Sequence, residues 1–187
     1  MVEYSNMEYG GIRRSFAVEY VALGFLIESS MHGYELRERL SAGLGAVWRV
    51  AASQLYNVLG RLERKGLVTR RVEPQEGRPS RNVYAVTPKG EQAFWSWVVS
   101  PVRHLRDVRV EFLAKVYLLR RLAPERVPAL VDAEIESLTR LKGHLARKGR
   151  IESDDRSFGR FALRFRQSQI ENTIQWLTDS RPQLTLP

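Results

Sequence analysis

Ser53, Gln54, Asn57 and Arg61 lie within nine residues of one another and share one side of any helix that carries them. All four are hydrogen-bonding groups. By geometry the Gln and Asn amides match adenine in the major groove of duplex DNA, the Arg guanidinium matches guanine, and all four can reach phosphate. The competing reading is an ordinary solvated helix face. The opposite side is apolar, because Leu55, Val58, Leu59 and Leu62 recur at spacings of three, four and seven and tie the helix to a core.

The neighbouring stretches must position that helix. Lys65-Gly66 ends it, a cation followed by a C-terminal glycine cap. Residues 67–72 and 81–86 then read as two strands, with a wide turn containing Pro74, Gly77 and Pro79 between them. The net charge from Arg61 to Arg81 is +4. In this hairpin Arg78 and Arg81 are candidates for phosphate or minor-groove contact, against a plain solubility role. Arg70 and Arg71 alternate across a strand, so at most one faces DNA. Upstream, residues 16–27 are apolar nearly all round with Glu19 the only charge, which predicts a buried helix. Ser29 to Gly33 turns the chain, with Ser30 placed to cap a helix from His32 to Leu40. Two helices, a Gly-bearing connection, a third helix with a polar face and a hairpin are the elements of a winged helix-turn-helix.

Thr87-Pro88 starts another helix through Phe94, Trp95 and Trp97, and Ser100-Pro101 breaks it. The expected organisation is a flexible arm over 1–15, a winged helix-turn-helix over 16–100 and an all-helical dimerisation domain over 101–187, in a mainly α fold. Phe94, Trp95 and Trp97 sit just before the boundary, where a pocket for a small aromatic effector could form, although aromatics so spaced are commonly core. Beyond it, Leu105, Val108, Phe112, Val116 and Leu119 form one stripe. Val131, Ile135, Leu138 and Leu145 form an imperfect heptad seam with Lys142 at one core position. Leu163, Ile170, Ile174 and Leu177 form a third stripe, on a helix expected over 158–176 and ending before Arg181-Pro182. So many apolar stripes on one thin layer predict a symmetric partner, with Leu105, Phe112, Val131, Ile135, Leu138, Leu145, Leu163, Ile170, Ile174 and Leu177 at the homodimer interface. The alternative is an intramolecular three-helix bundle.

The chain has 187 residues, 30 Lys+Arg against 21 Asp+Glu and a formal net charge of +9. The excess suits a polyanionic partner. It does not locate the site, since residues 1–100 carry +3 and residues 101–187 carry +6. Without cysteine there is no disulfide framework, thiolate nucleophile or Cys-ligated zinc. No apolar run approaches the ~20 residues of a membrane span, and no signal core precedes the helices, so a cytoplasmic protein without a membrane partner is expected. No nucleophile-base pair, phosphate-binding glycine loop or paired-carboxylate motif stands out, so neither an enzyme nor a cofactor is expected. His104, Asp107 and Glu111 share a helical face, but helix surfaces routinely carry such residues and no metal site is expected.

The runs ALGFLIESSMHGYELRERL, SQLYNVLGRLERKGLV and EGRPSRNVYAVTPKGEQAF together resemble the winged helix-turn-helix of PadR-type transcriptional regulators. The resemblance rests on a His-Gly-Tyr-Glu-Leu helix at His32 to Leu36, a Leu-Tyr-x-x-Leu-x-x-Leu-Glu helix at Leu55 to Glu63, and a Gly-Arg-Pro wing at Gly77 to Pro79 closing on Tyr84 and Thr87. It covers about residues 16 to 180, more weakly in the tail. It aligns Tyr34 and Tyr56 with the family tyrosines, each a candidate phosphate donor or a half-buried packing residue. It implies a dimeric, usually repressing regulator that binds double-stranded DNA at a near-palindromic operator and is often released by a small aromatic ligand. One departure is Ala51-Ala52, where the family often has Ser-Pro; losing the cap costs ~1 kcal/mol. Two other readings stay open: a non-specific architectural DNA-binding protein, and a winged-helix module that meets an acidic protein partner.

Overall fold

The computed structural model describes residues 8–75, 78–102, 104–148 and 156–185, with side chains from residue 17 onward except at 75, 78, 79, 148, 156 and 185. The fold is mainly helical. The elements are α1 (Glu8–Glu28), β1 (Met31–His32), α2 (Gly33–Leu44), α3 (Ala52–Arg64), β2 (Val68–Gln75), β3 (Arg78–Val86) and α4 (Pro88–Val98). They continue with a single turn, α5 (Leu105–Asp107), a π-helical segment (Val108–Phe112), α6 (Leu113–Leu122), a 3-10 turn (Pro124–Arg126), α7 (Val127–Lys148) and α8 (Arg156–Thr185).

Helix α1 is the central post, packed against α2, α3, α4 and α6. Its apolar run Val18, Val21, Ala22, Leu23, Phe25 and Leu26 is buried on every side, as a helix apolar all round requires. The α3 stripe Leu55, Val58, Leu59 and Leu62 is fully buried against it. Gly66, at φ 68, ends α3 in a left-handed residue, and Leu67 N–H reaches Leu62 O at 2.9 Å while Gly66 N–H reaches Glu63 O at 2.9 Å. This is the Schellman arrangement, and it turns the chain straight into β2. Strands β2 and β3 pair antiparallel from Val68↔Val86 to Glu73↔Arg81, and the sheet order is β1-β3-β2.

Four local features differ from the sequence expectation. Helix α1 begins at Glu8 rather than near Phe16. Met31 and His32 form a strand paired with Tyr84 and Val83 instead of a turn. His32, not Ser30, precedes the first turn of α2, and it makes no capping bond with its side chain. Helix α8 runs through Pro182 to Thr185 instead of stopping before it. There Arg181 donates two hydrogen bonds to Asp132 on α7, at 2.9 and 2.8 Å, and these hold the last turn in place although Pro182 breaks its ladder.

One apolar core runs through both halves of the chain, through Phe94, Val98, Val102, Phe112, Leu118, Leu130 and Val131. Helices α7 and α8 run antiparallel, with Lys142 paired to Glu171 at 2.6 Å and Arg181 to Asp132 at 2.8 Å. Their apolar faces therefore meet inside one chain. Of the ten residues expected at a homodimer interface, Phe112, Val131, Leu138, Leu145, Ile170 and Leu177 are buried in the core of the single chain, and Leu105, Ile135, Leu163 and Ile174 pack partly buried against that core. Lys142 lies at the edge of that seam rather than in a coiled-coil core position. No helix among the described residues is long and apolar enough to cross a membrane.

Candidate nucleic-acid interface

The outer face of α3 carries Ser53, Tyr56, Asn57 and Arg64 exposed, with Gln54 half-buried. The buried leucine stripe below fixes the helix, so these side chains project from a rigid support. Tyr34, in the first turn of α2, is 62% exposed and Tyr56 is 48% exposed. A Cβ on Gly33 would lie 2.7 Å from the Tyr56 ring, so glycine there lets the start of α2 close against α3. Tyr34, Tyr56 and Arg81 line one cleft of about 480 Å³, with Ser80 and Asn82 from β3 and Tyr84 at its floor. Burial pushes the Tyr84 phenol up, Arg70 opposing, and it stays protonated as a hydrogen-bonding group. Arg81 is exposed. The side chain of Arg78 lies outside the described residues.

Arg61 sits differently. Its Nε donates to Glu19 Oε1 at 2.9 Å, and Lys65 Nζ donates to Glu19 Oε2 at 2.8 Å. Glu19 is 5% exposed, so the one charge within the apolar run 16–27 of α1 forms a clamp that seats the C-terminal half of α3 on the central helix. Arg70 is held by Glu63 of α3 at 3.0 Å. Arg64 and Arg49 are exposed and have no ion pair among the described residues. Sequence reasoning left both out of the site, although Arg64 falls seven residues after Asn57 on the same face. Arg37 was missed too; its guanidinium lies 4.9 Å from the centre of the Tyr34 ring, a cation-π contact that orients an exposed tyrosine.

Ala51 occupies the N-cap of α3 in extended backbone (φ −68, ψ 146) and supplies no side-chain hydrogen bond. The first N–H groups of the helix therefore lack an intramolecular acceptor from the cap. Ala51→Ser is expected to raise stability by ~1 kcal/mol, a rise of about 2–4 °C in melting temperature by calorimetry.

The aromatic residues before the linker separate. Phe94 is fully buried in the core. Trp95 is half-buried edge-on against Phe94, with its Nε1 donating to Glu91 at 3.3 Å and Arg126 4.9 Å from its ring centre. Trp97 lines a cleft of about 620 Å³ with Tyr20, Pro101, Glu111 and Lys115. Its ring stacks on Tyr20 at 5.1 Å and 10°, and its Nε1 donates to Glu111 Oε1 at 2.9 Å. Lys115 Nζ donates to Ser100 O at 2.9 Å and pairs with Glu111 at 3.0 Å. Burial holds the Lys115 ammonium below the ordinary lysine value, Glu111 opposing. His104, Asp107 and Glu111 do not gather; among the described residues no three such groups could hold a metal ion.

Behind the cleft, Glu134 is fully buried and accepts Val102 N–H at 2.7 Å, which pins the linker, while its other oxygen has no partner among the described residues. Burial raises its pKa, with the Val102 bond and Lys115 opposing and Glu111 reinforcing. A raised folded-state pKa gives stability that is present below the ordinary carboxylate value and lost as pH rises through the raised one. Glu134→Gln keeps an acceptor for Val102 and removes the buried charge. It is expected to melt higher than wild type at about pH 8, with the gap closing toward about pH 4; a gap independent of pH would contradict this.

Comparison with known proteins gives the following. Residues 22–95 match the model of the transcriptional regulator PadR-like family. The negative transcriptional regulator PadR of Bacillus subtilis is 25% identical over 119 residues, covering 64% of this chain and 65% of that protein. A probable transcriptional regulator of Mycobacterium tuberculosis is 30% identical over 93 residues, covering 50% and 49%. The chain thus spans about two thirds and one half of the length of these relatives. Among solved structures, Bacillus subtilis PadR in complex with operator DNA superposes with a TM-score of 0.45 and 21% identity, covering 89% of this chain and 98% of that one.

Proposed function

Since the chain belongs, through residues 22–95, to the PadR-like family of transcriptional regulators, we propose that it is a sequence-specific DNA-binding repressor. It acts as a homodimer on a near-palindromic operator, with α3 in the major groove and the β2-β3 hairpin as the wing. The observation that carries this reading is one continuous polar surface: Ser53, Asn57 and Arg64 on α3, bordered by the cleft of Tyr34, Tyr56 and Arg81. Side chains of α3 read base edges while the tyrosines and Arg81 engage phosphate. Arg61 contributes by seating α3 on Glu19. Repression is supported by the negative regulator among the relatives.

The homodimer forms through α8. Phe158, Phe165 and Trp176 fall within about 20° of one another around the helix, with Phe161 next to them, and all four are exposed, at 60%, 55%, 43% and 66%. An apolar stripe of this length on a soluble helix marks an interaction face. A small planar aromatic effector enters the Trp97 cleft between α1, α4 and the linker, where a stacked ring pair and the Lys115 cation meet.

The reading is tested by the affinity for a labelled duplex over a salt series. Log affinity is expected to fall linearly with log salt, by about 0.9 per phosphate contact. Absence of a gel shift on any duplex would favour the protein-interaction module instead. Titration with planar aromatics is expected to quench tryptophan fluorescence in the wild type and not in Trp97→Phe; an unchanged signal across the panel would contradict the effector.

A further inference from the structure

A second open cleft, of about 840 Å³, lies entirely within the helical half and shares no lining residue with the Trp97 cleft. Arg106, Arg109, Arg166 and His104 line it, from α5, the π-helical segment, α8 and the linker. Among the described residues no carboxylate lines it. Among the described residues Arg106 reaches Asp107, at 3.8 Å, and Arg109 and Arg166 have no ion pair. Several arginines on other surfaces are matched, Arg61 with Glu19, Arg70 with Glu63, Arg121 with Glu28 and Arg181 with Asp132; what sets this cleft apart is that three guanidiniums gather in one concavity. Three guanidiniums around one concave site give it a positive potential that draws an anion.

The rest of the lining narrows the chemistry. Leu105, Leu141 and Ile170 supply apolar wall, and Gln169 and Asn172 supply amides. The volume is that of a small-molecule site, and a phosphodiester backbone would make no use of aliphatic wall. Segments of π-helix recur mostly at functional sites; this one gives Arg109 to the arginine cleft and Glu111 to the Trp97 cleft.

The geometry points to an organic-anion site: a ligand with an apolar body of one or two rings and an acidic group, carboxylate, sulfonate or phosphate, held by the Arg106, Arg109 and Arg166 forks. Planar guanidinium donors match such oxyanions two bonds at a time. The assignment stands whether or not the chain binds DNA.

The test uses the full chain and 8-anilinonaphthalene-1-sulfonate, two aromatic groups with one sulfonate, against its uncharged analogue N-phenyl-1-naphthylamine. Saturable binding of the sulfonate is expected, weakened at least about tenfold in Arg109→Gln/Arg166→Gln and less in Arg166→Lys, which keeps the charge and loses the fork. The uncharged analogue should bind far more weakly, and Phe161→Ser/Phe165→Ser should leave sulfonate binding unchanged. Equal sulfonate binding by the double arginine variant, equal binding of the uncharged analogue, or loss of binding in the phenylalanine variant would each overturn the assignment. So would a double arginine variant that loses only duplex affinity, which would make these arginines backbone contacts.

Discussion

Replacing Phe161 and Phe165 together with glutamate leaves a folded monomer whose affinity for a two-half-site operator is lower by about 10²–10⁴-fold. Both side chains are more than half exposed in the single chain, so the substitution disturbs no core and the circular dichroism spectrum should be unchanged. The charges fall on the α8 stripe with Phe158 and Trp176, where the dimer would have to bury four carboxylates in place of four phenyl rings. Light scattering reads the mass and gel shift reads the affinity. The loss in DNA binding comes from the second half-site, which becomes an independent event instead of an intramolecular one. By contrast, Leu177→Glu on the buried side of the same helix should unfold the α7-α8 pair, since Leu177 is fully buried within one chain. A double phenylalanine variant that remains dimeric would move the interface to another face.

The second large effect separates two residues that look alike in the sequence. Asn57→Ala should cost about 1–3 kcal/mol of specific binding and relax the preference at one base pair, with no change in melting temperature. Arg61→Ala should cost about 1.5 kcal/mol of stability, the low end of the range for a charged hydrogen bond because Arg61 is a third exposed. It lowers the melting temperature by about 3–6 °C, because among the described residues the buried Glu19 then keeps Lys65 and loses its Arg61 bond. Selected sequences for Arg61→Ala should match those of the wild type. If its melting temperature is unchanged while its base preference shifts, Arg61 is a reader and the clamp is incidental.

Local patterns were legible wherever one element's own periodicity or cap chemistry sufficed. The α3 leucine stripe, its Lys65-Gly66 ending and the Thr87 cap of α4 are of this kind, and Gly90 N–H does reach Thr87 Oγ1 at 3.1 Å. Features made by distant residues were not. Glu19 meets Arg61 and Lys65 across more than forty positions, and β1 is two residues that become a strand only by pairing with β3. Periodicity also finds an apolar face without saying what covers it. The stripe through Leu163, Ile170, Ile174 and Leu177 faces α7 in the same chain, while Phe161, Phe165 and Trp176, a quarter of a turn or more away, are exposed. The alanine at position 51 was read correctly as a missing cap, and α3 still starts at Ala52, because its buried leucines outweigh a term of ~1 kcal/mol.

The central claim is that α3 reads sequence from a symmetric dimer. Selection of bound duplexes from a random pool tests it most directly. The account predicts an enriched, near-palindromic sequence with half-site centres one helical turn, about 10–10.5 base pairs, or a multiple of it apart, and loss of that enrichment in Asn57→Ala. Recovery of a pool no different from the input, with duplexes bound all the same, would contradict it and leave a non-specific architectural protein.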